Sequence, residues 1–70
     1  MRDSNRIPAF VEKLQRYWIT YFPDWRFGQL MSNFVSFIFT NTKWSDIFYI
    51  EDEEMSALLD EFVKQIGGVK

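Results

Sequence analysis

Residues 25–39 read Trp-Arg-Phe-Gly-Gln-Leu-Met-Ser-Asn-Phe-Val-Ser-Phe-Ile-Phe. Phe27, Leu30, Met31, Phe34 and Ile38 recur at the three- and four-residue intervals of one helix face. Val35, Phe37 and Phe39 widen that face until only Gly28, Gln29, Ser32, Asn33 and Ser36 remain as a narrow polar strip. A helix this apolar around its girth is usually contacted on two sides, so we place it centrally. The tail from Val35 to Thr40 is rich in β-branched and aromatic residues and could form a strand instead. The helical period that leads into it favours helix.

Working outward, Ile7, Phe10, Val11, Leu14, Trp18 and Tyr21 form the apolar stripe of an amphipathic helix over 7–22. Asn5 or Ser4 can cap it, Pro8 falls in the tolerant first turn, and Pro23 ends it. Asp24 is the expected cap of the 25–39 helix. Downstream, Asn41 to Ser45 is a polar turn carrying Trp44. Residues 46–50, Asp-Ile-Phe-Tyr-Ile, form a short apolar connection, either extended or one helical turn. Glu51 to Glu54 then open a third helix, 52–66, with Met55, Leu58, Leu59, Phe62, Val63 and Ile66 on its stripe. Gly67 and Gly68 stop it. The expectation is an all-α, compact three-helix domain spanning residues 1–70, with 1–5 and 68–70 frayed.

Composition fits a short chain that must extract much stabilisation from few residues. The 70 residues include eight Phe, three Trp and three Tyr, which is 20% of the chain. Each buried aromatic ring removes about 150–250 Å² from water, so rings give a small core the most apolar burial per residue. Neither Cys nor His occurs. Their absence removes disulfides, thiolate metal sites and the commonest general base. No glycine-rich phosphate loop is present, and Ser and Thr have no histidine beside them. We expect no catalytic residue, no metal and no cofactor, with a Ser–Lys pair as the only nucleophilic arrangement left open.

No secretory signal or membrane-spanning run is visible, since the longest apolar stretch, Phe34 to Phe39, is six residues broken by Ser36. A soluble, cytoplasmic protein is expected. The net charge of −2 is unevenly spread: residues 1–45 carry +3 and residues 46–70 carry −5. Folding would bring these halves together and partly cancel them. Alternatively, Glu51, Asp52, Glu53 and Glu54 form an acidic patch for a basic partner. As a metal site the run is weak. Carboxylates at a helix start are favoured by the unpaired amides and the dipole there, by about 0.3–1 kcal/mol each.

Two binding classes remain. Arg6, Lys13, Arg16 and Arg26 among Tyr17, Trp18 and Trp25 would suit a nucleic-acid surface. A sequence pI near 4.9 disfavours direct nucleic-acid binding. Protein–protein interaction is the leading class, because three short helices cannot hide every ring. Tyr17, Trp25 and Trp44 are the expected anchors, joined by Glu51 to Glu54. Gly28, Ser32 and Ser36 recur every four residues and form a small-residue groove. A glycine inside a helix costs about 1 kcal/mol relative to alanine. A close neighbour would account for it, either the third helix of the same chain or a second subunit in a homodimer.

Several of these segments together carry a resemblance. Arg6-Ile7, Tyr17-Trp18, Pro23-Asp24-Trp25-Arg26-Phe27-Gly28-Gln29-Leu30 with Asn33, and Asp46 to Asp52 resemble small uncharacterised bacterial and phage proteins. Their core reads P-D-x-R-x-G-Q-L followed by F-Y-x-E-D. The chain departs from it at Phe27 and Ile47, where Leu and Pro are expected. The resemblance implies a short all-α protein, often phage- or prophage-encoded, with no established activity and so no transferable site residues. Small phage proteins of this kind are often inhibitors of host defence systems, including restriction and CRISPR effectors.

Overall fold

In the computed structural model, which describes residues 3–67, three helices account for most of the chain. Helix α1 spans Arg6–Tyr21, α2 spans Phe27–Asn41 and α3 spans Asp52–Phe62. A single 3₁₀ turn, Ile47–Tyr49, joins α2 to α3, and a π-helical turn, Val63–Gly67, follows α3 directly. Among the described residues there is no strand, so Val35 to Thr40 continue α2 as helix. The expected all-α three-helix domain is the fold observed. Residues 1, 2 and 68–70, where fraying was expected, lie outside the described residues. Asp3 to Asn5 form a turn in which the Asn5 amide donates to Asp3 Oδ1 at 3.0 Å.

The apolar girth of α2 does not make it the central helix. Helix α3 packs against both α1 and α2. Leu30, Phe34, Phe37 and Ile38 of α2 are buried against Leu59, Phe62 and Val63. Phe62 is 1% exposed, and its ring centroid lies 5.5, 5.2 and 5.4 Å from those of Phe22, Phe34 and Phe37. Helix α1 contributes no fully buried residue of its own. It leans on the core through Phe10, Leu14, Tyr17, Trp18 and Tyr21, all half-buried. One face of α2 is therefore covered; on the other, Phe39 stays 46% exposed, while Phe27, 55% exposed, keeps its ring beside Trp18 of α1, centroids 5.8 Å apart.

The α1–α2 corner accounts for the later start of α2. Trp25 N–H donates to the Phe22 carbonyl at 3.1 Å, closing a turn through Pro23 and Asp24. That turn lays Trp25 flat on Phe22, centroids 4.2 Å apart and planes 10° from parallel. Trp18 Nε1 donates to the Trp25 carbonyl at 3.0 Å. Asp24 and Trp25 are used by the turn, and the cap falls to Arg26 rather than Asp24. Gln29 Oε1 accepts from the Arg26 amide at 2.7 Å, satisfying one amide at the helix start.

Helix α3 begins as its sequence indicates, with Glu51 as cap and Asp52, Glu53 and Glu54 in the first turn. Its end differs from the expected continuous helix to Ile66. After Phe62 the backbone widens into the π turn, which carries buried Val63 and Gly67. Gly67 is more than a stop. A Cβ built there would lie 2.9 Å from Phe22 Cζ and 3.0 Å from Tyr21 Cβ. The hydrogen side chain lets the π turn close on the end of α1.

Candidate interaction surface

Tyr17, Trp25 and Trp44, the expected anchors, are all engaged within the fold. Trp25 lies on Phe22, with its centroid 6.4 Å from that of Phe62. Trp44 is half-buried against the core, its amide donating to Thr42 Oγ1 at 3.1 Å. Tyr17 is half-buried and donates from its hydroxyl to Asp60 Oδ1 at 2.6 Å.

Among the described residues, the rings that face solvent most fully are Phe48 and Tyr49, at 81% and 68% exposure. Their display has a local cause. Asp46 Oδ1 accepts from the Phe48 amide at 2.9 Å, and the Ile50 amide donates to the Ile47 carbonyl at 3.1 Å. Half-buried Ile47 and buried Ile50 hold the two ends of this turn against the core. The four residues from Ile47 to Ile50, anchored inward at both ends, leave their two middle side chains outward. Phe48 and Tyr49 meet edge to face, centroids 5.0 Å apart and planes at 82°, a favoured geometry for ring pairs. From the sequence, Asp46 to Ile50 read only as a short apolar connection. Isoleucines at positions 47 and 50, behind an Asp that can cap a turn, were the signal for the outward pair.

Beside these rings, Phe48 to Asp52 and Arg6 line a shallow hollow. Arg6 Nε donates to the Asp52 carboxylate, and Arg6 Nη1 donates to the Asp3 carbonyl at 3.0 Å. Further along α3, Glu51, Glu53, Glu54 and Glu61 surround Ala57 and half-buried Leu58 in an acidic hollow. Glu54 Oε2 is 3.5 Å from Trp44 Nε1. Among the described residues, no group of three or more acidic side chains converges to hold a metal.

A polar seam between α1 and α3 takes up part of the charge asymmetry. Lys13 Nζ donates to Ser56 Oγ at 2.8 Å and to Asp60 Oδ2 at 2.9 Å. The hydrogen bonds from Lys13 and then Tyr17 hold the Asp60 carboxyl below its ordinary value of 3.8. The same bond to Asp60, followed by burial, raises the Tyr17 hydroxyl above 10.0. With the folded Asp60 value lowered, its contribution is present above about pH 4 and is lost as pH falls further. With the folded Tyr17 value raised, its contribution is present below pH 10 and is lost as pH rises through the folded value. Tyr17→Phe is expected to cost about 1 kcal/mol at neutral pH. It is also expected to flatten the fall in melting temperature above pH 10, measured by circular dichroism between pH 8 and about 12.

Gly28, Ser32 and Ser36 are all exposed, and a Cβ at Gly28 would meet nothing within 4 Å. The close approach by the third helix of the same chain is not made. The covered face of α2 is a different one, because α3 lies along Leu30, Phe34 and Phe37.

Comparison of the chain with protein-family models, with curated proteins and with solved structures finds no match. Among the described residues, no helix is long and apolar enough to cross a membrane.

Proposed function

We propose that this chain is a non-enzymatic interaction module whose Phe48–Tyr49 knuckle, with the acidic start of α3, docks on a basic protein partner. The observation that carries it is the exposure of two adjacent rings, the most exposed large apolar side chains among the described residues, beside Glu51 to Glu54. Exposed aromatic rings flanked by charge are the usual anchors of a protein interface. Carboxylates around them would speed encounter with a basic surface and select against acidic ones. A phage or prophage origin, action in the host cytoplasm and modulation of a host defence effector extend this proposal. They rest on the sequence resemblance. The acidic surface disfavours the alternative of a small nucleic-acid-associated protein.

Immobilised wild type and a Phe48→Ala/Tyr49→Ala double variant would be exposed to the same bacterial lysate at low and high salt. Because both rings are exposed, the double change is expected to move stability by no more than about 0.5 kcal/mol. Wild type should retain a protein that the double variant loses and that high salt releases. Identical eluates from the two would overturn the proposal, and release of retained material by nuclease would favour nucleic acid instead.

A further inference from the structure

We infer that α1 from Arg6 to Tyr17 is a strap, which lifts off α3 and closes again while α2, α3 and the α1–α2 corner stay folded. The core is built without it. Among the described residues, every buried apolar side chain lies from Phe22 to Val63. Helix α1 has none. Ile7 and Val11, on the stripe that its sequence directs to the core, remain 49% and 50% exposed. Phe10, Leu14 and Tyr17 rest on the core only half-buried. Local opening occurs most readily where few apolar contacts are fully buried.

The two ends of α1 are held differently. At its C-terminal end, Trp18 Nε1 donates to the Trp25 carbonyl, and the Phe22 amide donates to the Trp18 carbonyl. Phe22 lies flat against Trp25, and Gly67 closes on Tyr21 and Phe22. These contacts pin residues 18–22 and make them the pivot. Along the rest of α1 the polar links to α3 converge on two carboxylates. Arg6 donates to Asp52, while Lys13 and Tyr17 both donate to Asp60. The Asp52 and Asp60 side chains are 48% and 51% exposed. Ion pairs this open to water hold weakly, because solvent competes for both charges. Lys13 and Tyr17 share one acceptor residue, so a step away from Asp60 releases both together.

Opening changes what the molecule presents. It uncovers the side of the core on which Phe10, Leu14 and Tyr17 rest. It also takes Arg6 out of the hollow beside Phe48 and Tyr49 and removes the cation from Asp52. The chain thereby has a second surface, apolar and acidic, that exists only in the open form. Helix α1 has 16 residues, a length at which an isolated helix is marginal in water. Once lifted it unwinds, and its amides meet solvent. The opening stands independently of what docks at Phe48 and Tyr49.

Native-state hydrogen exchange of the full chain, read residue by residue, tests this directly. In the wild type, amides 10–17 are expected to be protected at least about 10-fold less than those of α3. Phe37→Leu separates the strap from the core. The Phe37 ring packs on Phe62 of α3 and lines a hollow with Trp25 and Ile66 that includes no residue of α1. The change weakens the closed and strap-open forms alike. Protection in α2 and α3 should fall about 3–10-fold, with α1 unchanged. Lys13→Glu sets a carboxylate against Asp60 and should hold the strap open. Amides 10–17 then lose protection, while α2 and α3 keep at least about 10-fold. Equal protection of α1 and α3 in the wild type would overturn the inference. So would a fall in α1 that matches α3 in Phe37→Leu, or loss of α3 protection in Lys13→Glu.

Discussion

Replacing Phe62 by alanine is expected to leave the chain largely unfolded, with loss of most far-UV helical signal at neutral pH. Phe62 is the ring through which the three helical segments meet. It lies against Phe22 after α1 and against Phe34 and Phe37 of α2, and is itself 1% exposed. Removing a fully buried phenylalanine side chain typically costs about 3–5 kcal/mol, because the neighbours relax only partly into the space. A single core in a domain of this size rarely supplies more than about 3–5 kcal/mol in total. The two quantities are comparable, so one substitution is expected to consume the margin. Phe62→Leu keeps most of the volume and should remain folded with a lowered urea midpoint. A loss under about 1 kcal/mol for Phe62→Ala would show that α1 and α2 hold together without this ring.

Gly67→Ala carries the second large effect, and its sign is unusual. Alanine is the best helix former, so a glycine-to-alanine change in a helical segment ordinarily stabilises, by up to about 1 kcal/mol. At Gly67 the added methyl would sit 2.9 Å from Phe22 Cζ and 3.0 Å from Tyr21 Cβ. The Phe22 ring cannot swing away cheaply, because it is buried and lies flat against Trp25. Overpacking of this kind costs about 1–3 kcal/mol. Gly28→Ala is the matched control, since a Cβ there meets open space. Urea melts at low protein concentration should move in opposite directions, down for Gly67→Ala and level or up for Gly28→Ala. A stabilised Gly67→Ala would mean that the π turn is free to lift off α1.

These expectations separate what could be read along the chain from what could not. Helix existence was legible because apolar spacing is a local property: the stripes from Ile7 to Tyr21, Phe27 to Ile38 and Met55 to Val63 each state their own period. Glu51 was recognisable as a cap, since carboxylates in the next three positions match the charge of a helix start. The start of α2 was not, because Asp24 and Trp25 are committed to a turn that exists only when Trp25 can lie on Phe22. Helix arrangement is not legible along the chain for a related reason, and α3 rather than α2 packs against both other helices. A wide apolar girth says that a helix has two faces to cover, but not that one chain covers both.

The surface rings show the same division. Aromatic surplus could be counted from composition alone, so exposed rings were a sound expectation from the sequence. Their identity depended on which side chains found partners. Trp18, Trp25 and Tyr17 found a carbonyl, a ring and a carboxylate, two of them across the α1–α2 corner and one on α3. Phe48 and Tyr49 were turned outward by inward-facing isoleucines on either side.

By itself, then, the sequence determined three amphipathic segments, an acidic opening to the last, and more aromatic rings than so short a chain can hide. Each follows from spacing or composition, which act over a few residues. Tertiary structure alone decided that α3 stands between the other two helices, that Gly67 must be glycine, and that Phe48, Tyr49 and one face of α2 remain open. These depend on contacts between residues tens of positions apart, where burial at one site is settled by what another has already occupied.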